Sequence, residues 1–286
     1  MKVERRIDLS VPEFIEKYLA LNRPVIVTDA ISRWPFRDAW SAENISKQFG
    51  GELTQIYGNL FELEDVTTLQ TYFDQYWNKP DLDLVSVPYV RWYAKLKSVE
   101  FAWADRVFEA MSGFWEAPYF LPPSDYLLPC HKPGATLSPV HDAFPAKGIF
   151  ISARGAQTSL HEDPWSSDAI LCQMQGRKHF TLRPAESMNT KLDHVDTEGA
   201  SKPRIEAIAA TPNDPAYDDV LSAGEILYIP AGWFHHVETL SDSISITWNF
   251  VHRTNWMRFF HYLAHAQITA SDREVLQYFS SDERGG

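Results

Sequence analysis

The second half of the chain constrains the fold most. Short runs rich in β-forming residues recur at Gly148–Ser152, Thr158–Asp163, Ala169–Gln173, Lys178–Leu182, Ile226–Ile229, His235–Thr239 and Ser243–Phe250. Turn-forming residues separate most of them, and no long helical pattern intervenes. Several short strands at such spacing close into a sandwich or barrel. The flanks read differently. Ser10 to Glu13 has the form of a capping box, opening a helix with Phe14, Tyr18 and Leu21 on one face. Arg23–Thr28 is β-branched and reads as a strand, and helices are expected near Leu69–Trp77 and Phe101–Met111. Loops are expected from Gly113 to Gly148. After Phe250, the spacing of Trp256, Phe259, Phe260 and Leu263 is helical, and a short helix containing Leu276 and Phe279 ends the pattern. The expected architecture is mainly β with flanking helices, one domain over residues 1–286. Its parts are N-terminal elements over 1–115, a β core over 116–252 and C-terminal helices over 253–280.

Composition narrows the function classes. A formal net charge of -12 argues against passive attraction to phosphate backbones, so nucleic acid is an unfavoured partner. The two cysteines, Cys130 and Cys172, stand far apart and in no metal-binding spacing, which fits a reducing cytoplasm. No apolar run approaches the ~18 residues of a membrane span, and the N-terminus lacks a signal-peptide stretch. The 10 Trp, 12 Tyr and 17 Phe could wall a pocket, but a well-filled core explains them at least as well.

The densest chemical signal is Leu160-His161-Glu162-Asp163-Pro164. On a strand, residues two apart share a face, so His161 and Asp163 could reach one ion while Glu162 points away. A third ligand must come from elsewhere, and the candidate segment is Tyr228–Val237, which holds His235 and His236. Only one of two neighbours on a strand can face inward. Choosing His235 also turns Val237 and Thr239 inward, whereas choosing His236 would bury Glu238 beside an anionic site. Two imidazoles and one carboxylate on a single octahedral face suit non-haem iron(II), with three positions left for chemistry. Taken alone, a His-x-Asp pair is weak, since a satisfied surface or core histidine is commoner than a ligand.

Four segments together say more: TSLHEDPW, ILCQMQGRKHFTLRPA, GEILYIPAGWFHHVETL and SISITWNF. In order and approximate spacing they resemble the Jumonji-C (cupin-like) hydroxylases, with the nearest likeness to the asparaginyl hydroxylase group. RPVIVTDAISRW, from Arg23 to Trp34, is similar to the entry of that domain. The resemblance implies a double-stranded β-helix (cupin, jelly-roll) core and an iron(II)- and 2-oxoglutarate-dependent dioxygenase. His161, Asp163 and His235 then match the metal ligands. Lys178 matches the lysine that holds the far carboxylate of 2-oxoglutarate, Thr158 a hydroxyl on the same carboxylate, and Asn249 an amide near the cosubstrate. Tyr93, in YVRWYA, matches a tyrosine that contacts it. The family often carries Asn a few residues after the Asp; Ala169 stands there, with Asp168 beside it.

Charge supports the carry-over. Iron(II), one carboxylate and a dianionic cosubstrate sum to 2 − 1 − 2 = −1, so a nearby cation such as Lys178 is favoured, and a buried ammonium needs such a partner. The implied reaction couples oxidative decarboxylation of 2-oxoglutarate by O2, yielding succinate and carbon dioxide, to hydroxylation of an aliphatic carbon. The favoured substrate is a protein or peptide side chain, ahead of a free amino acid or small metabolite. A catalytically silent cupin-type binding module is the alternative from another class. The aromatic C-terminal stripe fits homodimerisation and core packing equally well.

Overall fold

The computed structural model describes residues 1–34, 37–59, 62–79, 86–93, 116–128, 148–184 and 216–265, and positions 107, 110, 111, 114, 268, 270, 273 and 276. The helix expected at Phe101–Met111, the loops between Gly113 and Gly148 and the final helix fall largely outside these residues.

Among the described residues twelve strands form the core: β1 (Arg5–Arg6), β2 (Val25–Val27), β3 (Leu53–Tyr57), β4 (Leu63–Thr68), β5 (Tyr89–Tyr93), β6 (Tyr126–Leu128), β7 (Gly148–Ser152), β8 (Gln157–His161), β9 (Asp168–Arg183), β10 (Tyr217–Ser222), β11 (Ile226–Ile229) and β12 (Phe234–His252). The two longest, β9 and β12, pair antiparallel along nearly their whole length. The first half of β9 also pairs with β11, and its second half with β10. The first half of β12 pairs with β8, and its second half with β7. Two layers therefore share one central strand pair. The larger runs β1-β2-β11-β9-β12-β7-β5-β3-β4, and the smaller is β10-β9-β12-β8. This is the arrangement of a double-stranded β-helix.

Four of the expected strands are thus two continuous ones. The turn-forming residues between them are bends in a ladder that keeps going. Gly176 sits at the bend of β9 with φ +77°, where a Cβ would lie 2.2 Å from the backbone oxygen of Asp242. The partner strand shifts register at the same level, between Thr239 and Ile244. A bulge of this kind redirects a strand without ending it.

Side-chain alternation assigns each face. Val25, Val27, Val90, Trp92, Ile149, Ile151, Ile170, Cys172, Ile246 and Trp248 face the helical side. There they bury Phe14 and Tyr18, with residues of α2 (Ala42–Phe49) and α3 (Leu69–Tyr76). Ala169, Leu171, Phe180, Leu182, Leu221, Leu227 and Val237 fill the space between the layers. Opposite faces of the same strands thus serve two cores.

The N-terminal helix departs from the expected phase. Ser10 caps α1 (Val11–Phe14), its hydroxyl accepting from the Glu13 amide at 3.4 Å. The chain then widens into a π turn over Ile15–Leu19, closed by the Ala20 amide donating to the Ile15 carbonyl at 2.9 Å. One extra residue in a turn rotates all later side chains about the helix axis. Phe14 and Tyr18 stay buried, but Leu21 is 58% exposed and leaves the expected face.

At the other end, α4 (Trp256–His265) buries Phe259 against Leu128, Trp165 and Val251, while Trp256 and Phe260 remain about half exposed.

Candidate metal centre and anion pocket

The β8 strand ends at His161, so Asp163 lies just beyond it, at the head of a short turn over Pro164–Ser166. Asp163 is not part of the strand, but its backbone stays extended (φ −66°, ψ 147°), and the ligand atoms of the two residues come together. Across the smaller layer, β12 sets His235 opposite His161. The imidazole centroids are 4.1 Å apart. Asp163 Oδ1 lies 4.0 Å from His161 Nε2 and 3.9 Å from His235 Nε2. One ligand atom from each residue falls within 4.8 Å of the others, room for one ion between them.

The geometry fixes which imidazole nitrogen faces that point. His161 Nδ1 is 2.8 Å from the Ser159 carbonyl, and His235 Nδ1 is 3.1 Å from the Trp233 carbonyl. A carbonyl only accepts, so both Nδ1 atoms carry the proton and both Nε2 lone pairs are left for a metal. Burial, and then the neighbouring His235, hold the His161 imidazole well below its ordinary pKa, which keeps it neutral. His236 points to the other side of β12 and is only partly buried, as is Glu238, while Val237 and Thr239 are buried.

Farther along the inner face, several polar side chains are buried together. Lys178, on β9, is completely buried, and its Nζ donates to Ser245 Oγ at 2.8 Å. Among the described residues no carboxylate pairs with it. Burial, with a smaller push from Arg91, pulls its pKa down to about 7. Thr158, on β8, accepts a hydrogen bond from Arg91 Nη2 at 3.3 Å. Tyr89 OH is 3.3 Å from Thr239 Oγ1, which donates to Ser152 Oγ at 3.0 Å.

Two other residues are expected at the site, Asn249 and Tyr93. Asn249 is buried, and its amide donates to Ser167 Oγ at 3.1 Å, in the loop after Asp163. It therefore braces that loop. Tyr93 occupies the last position of β5, and its side chain lies outside the described residues. β5 also carries Tyr89 and Arg91, both buried, which the sequence motifs do not single out. The alternation could have found them: Val90 and Trp92 are the apolar positions, so Tyr89 and Arg91 face the other way.

The loop after Asp163 is held firmly. Trp165 and Ser166 have φ of +60° and +49°, a left-handed backbone that residues with a Cβ seldom adopt. Trp165 is nonetheless buried, against Leu128, Val251 and Phe259. Asp168 anchors the end of the loop, accepting from Tyr228 OH at 2.7 Å, the Ala231 amide at 3.1 Å and Asn255 Nδ2 at 2.7 Å. Complete burial nevertheless pushes its pKa up to about 6.

The donor set suits a ferrous ion: two imidazoles with their Nδ1 atoms engaged by carbonyls, one carboxylate, and nothing softer. Lys178, buried and with no carboxylate beside it among the described residues, suits an anion as a partner.

A double-stranded β-helix with such a cluster at the mouth of its smaller layer defines a cupin-type protein. The family profile described as Cupin-like domain matches residues 64–255, and the chain belongs to that family. Among its relatives, the Arginine-specific demethylase JMJ20 of Arabidopsis thaliana is 24% identical over 87% of this chain and 56% of its own length. The Lysine-specific demethylase JMJ30 of Arabidopsis thaliana is 25% identical over 86% of this chain and 54% of its own. The 2-oxoglutarate and iron-dependent oxygenase JMJD4 of Gallus gallus is 23% identical over 93% of this chain and 63% of its own. The chain thus spans little more than half the length of these relatives. The narrower likeness to asparaginyl hydroxylases rests on the sequence motifs alone.

Proposed function

We propose that this chain is a single-domain iron(II)- and 2-oxoglutarate-dependent oxygenase that hydroxylates an aliphatic carbon of a protein or peptide side chain in the cytoplasm. His161, Asp163 and His235 would hold the iron, and Lys178 with Thr158 the far carboxylate of the cosubstrate. The bound metal and cosubstrate would supply oxidative chemistry driven by O2, ending in succinate and carbon dioxide. The protein's part would be to keep three ligand atoms on one side of the ion, deprotonated at the ligating atom and correctly turned, and to seat the cosubstrate away from water. Asn249 and Asp168 brace the loop that carries Asp163.

The observation that carries this reading is the buried Lys178 ammonium behind a two-histidine, one-carboxylate cluster. A satisfied structural lysine would have a carboxylate partner. The relatives' names support a protein substrate, and a methylated side chain comes within the same chemistry. Hydroxylating an N-methyl carbon is the first step of removing it. The net charge of -12 disfavours nucleic acid. Among the described residues no helix is long and apolar enough to cross a membrane. A second copy covering Trp256, Met257 and Phe260, exposed by 47%, 62% and 53%, is the assembly we would look for by mass in solution.

The test is anaerobic calorimetry of 2-oxoglutarate binding with and without Mn(II), an ion of iron(II)-like preference that does not turn over. Metal-dependent binding by the wild type, absent in Asp163→Ala and in Lys178→Met, is expected. Metal-independent binding, or none, sinks the oxygenase reading and leaves the silent binding module or a metabolite-binding role.

A further inference from the structure

The outer side of α4 carries two histidines one helical turn apart. His261 and His265 are both exposed, while Phe259 turns inward against Leu128, Trp165 and Val251. The two imidazole centroids are 4.2 Å apart, with the ring planes inclined by 29°. Residues four apart on a helix stand one above the other, so the backbone itself sets this approach. His265 Nδ1 is 2.8 Å from the His261 carbonyl oxygen. A carbonyl only accepts, so Nδ1 carries the proton of the neutral ring and the Nε2 lone pair is left free.

The same device turns the two histidines of the triad, where the Ser159 and Trp233 carbonyls engage Nδ1. A carbonyl that fixes the outer nitrogen orients an imidazole for a metal at the other one. Two imidazoles at this spacing on one helical face can share a single ion, as helical zinc motifs do. Imidazole nitrogen suits zinc, nickel and copper(II), whereas magnesium and calcium prefer oxygen ligands. The competing role is stacking alone, which ring-bearing neighbours at this spacing also show.

We propose that His261 and His265 form a second metal site, a surface chelate on α4 for one borderline divalent cation of the zinc and copper(II) kind, with water in the remaining positions. It lies on a different element from the His161, Asp163 and His235 cluster and does not rest on the oxygenase reading. The chelate exists only while α4 is wound, so a bound ion staples the helix that packs Phe259 against Trp165.

Zinc titration of the full chain by calorimetry separates the two roles. Wild type, Asp163→Ala, His261→Gln, His265→Gln and the double histidine variant are compared. Both histidines are exposed and glutamine is a good helix former, so the substitutions leave the core untouched. Wild type should take up one zinc ion beyond that at the triad, and Asp163→Ala should keep this further ion. Each single histidine variant should lose it as completely as the double variant, because a chelate fails when either arm is removed. Further uptake that survives either single substitution overturns the proposal. So does uptake that each single variant merely halves, the mark of two rings binding independently, and so does zinc confined to the triad. Loss of zinc at the triad with the α4 site intact would count against the oxygenase reading and leave this one standing.

Discussion

Replacing Lys178 with methionine should make the ligand-free protein more stable while abolishing its response to 2-oxoglutarate. Burial lowers the ammonium's pKa from 10.5 to about 7. The folded-state value lies below the unfolded one, so unfolding takes up a proton between those two pH values. Stability from this group is complete above pH 10.5 and is lost as pH falls through about 7. At pH 7 the burden is on the order of 4 kcal/mol. Methionine fills a similar volume without charge, and the lost hydrogen bond to Ser245 offsets about 1 kcal/mol of the gain. A chain of this size gains roughly 2–4 °C per kcal/mol, so a net gain of about 3 kcal/mol should raise the melting temperature by roughly 6–12 °C at neutral pH. Its advantage should shrink steadily toward pH 10. Thermal unfolding read by far-ultraviolet circular dichroism, with chelator and then with Mn(II) and 2-oxoglutarate, measures both halves. A Lys178→Met variant that melts lower than wild type at pH 7, or that 2-oxoglutarate still stabilises, refutes the assignment of Lys178 as a cation awaiting an anion.

Two further outcomes concern the loop that carries Asp163. Asp168→Ala removes the acceptor shared by Tyr228, Ala231 and Asn255, and should lower stability by about 2–4 kcal/mol in urea unfolding near pH 5. Burial raises the Asp168 pKa from 3.8 to about 6, so the carboxyl's stabilising contribution is full below the lower value and is lost as pH rises through the upper one. The gap between wild type and variant should narrow across that window. Trp165→Ala should cost about 3–5 kcal/mol, as for other large-to-small changes in a packed cluster. Because Trp165 clamps the turn that begins at Asp163, Mn(II) affinity should fall as well, by calorimetry on the folded fraction.

Much of the fold is legible in the sequence because barrels announce themselves by period. The β core can be read from alternation and turn residues, and the candidate metal cluster from the His161–Asp163 motif together with the distant segment around His235. His235 separates from His236 by parity alone. The features that escape such a reading depend on tertiary context. Gly176 reads as the end of a strand and is a bulge inside one, since a positive φ bends a ladder as readily as it ends it. Asp163 reads as a strand residue and caps a turn, because Pro164 cannot donate to a ladder. Leu21 leaves the buried face when a π turn, invisible to a 3.6-residue pattern, shifts the phase. Arg91 hides for another reason: an arginine in a strand reads as a solvated residue, whereas here it is buried.

The most direct test is turnover itself. Purified protein supplied with iron(II), 2-oxoglutarate and O2 is assayed for succinate, with Asp163→Ala as the control that keeps the fold and loses one ligand. Succinate above background from the wild type and none from the variant is the expected result, even before a substrate is known, because uncoupled cosubstrate oxidation needs only the site. Succinate formed equally by both proteins, or by neither when a panel of protein, peptide and amino-acid substrates is added, would contradict the placement of an oxidative metal centre at His161, Asp163 and His235.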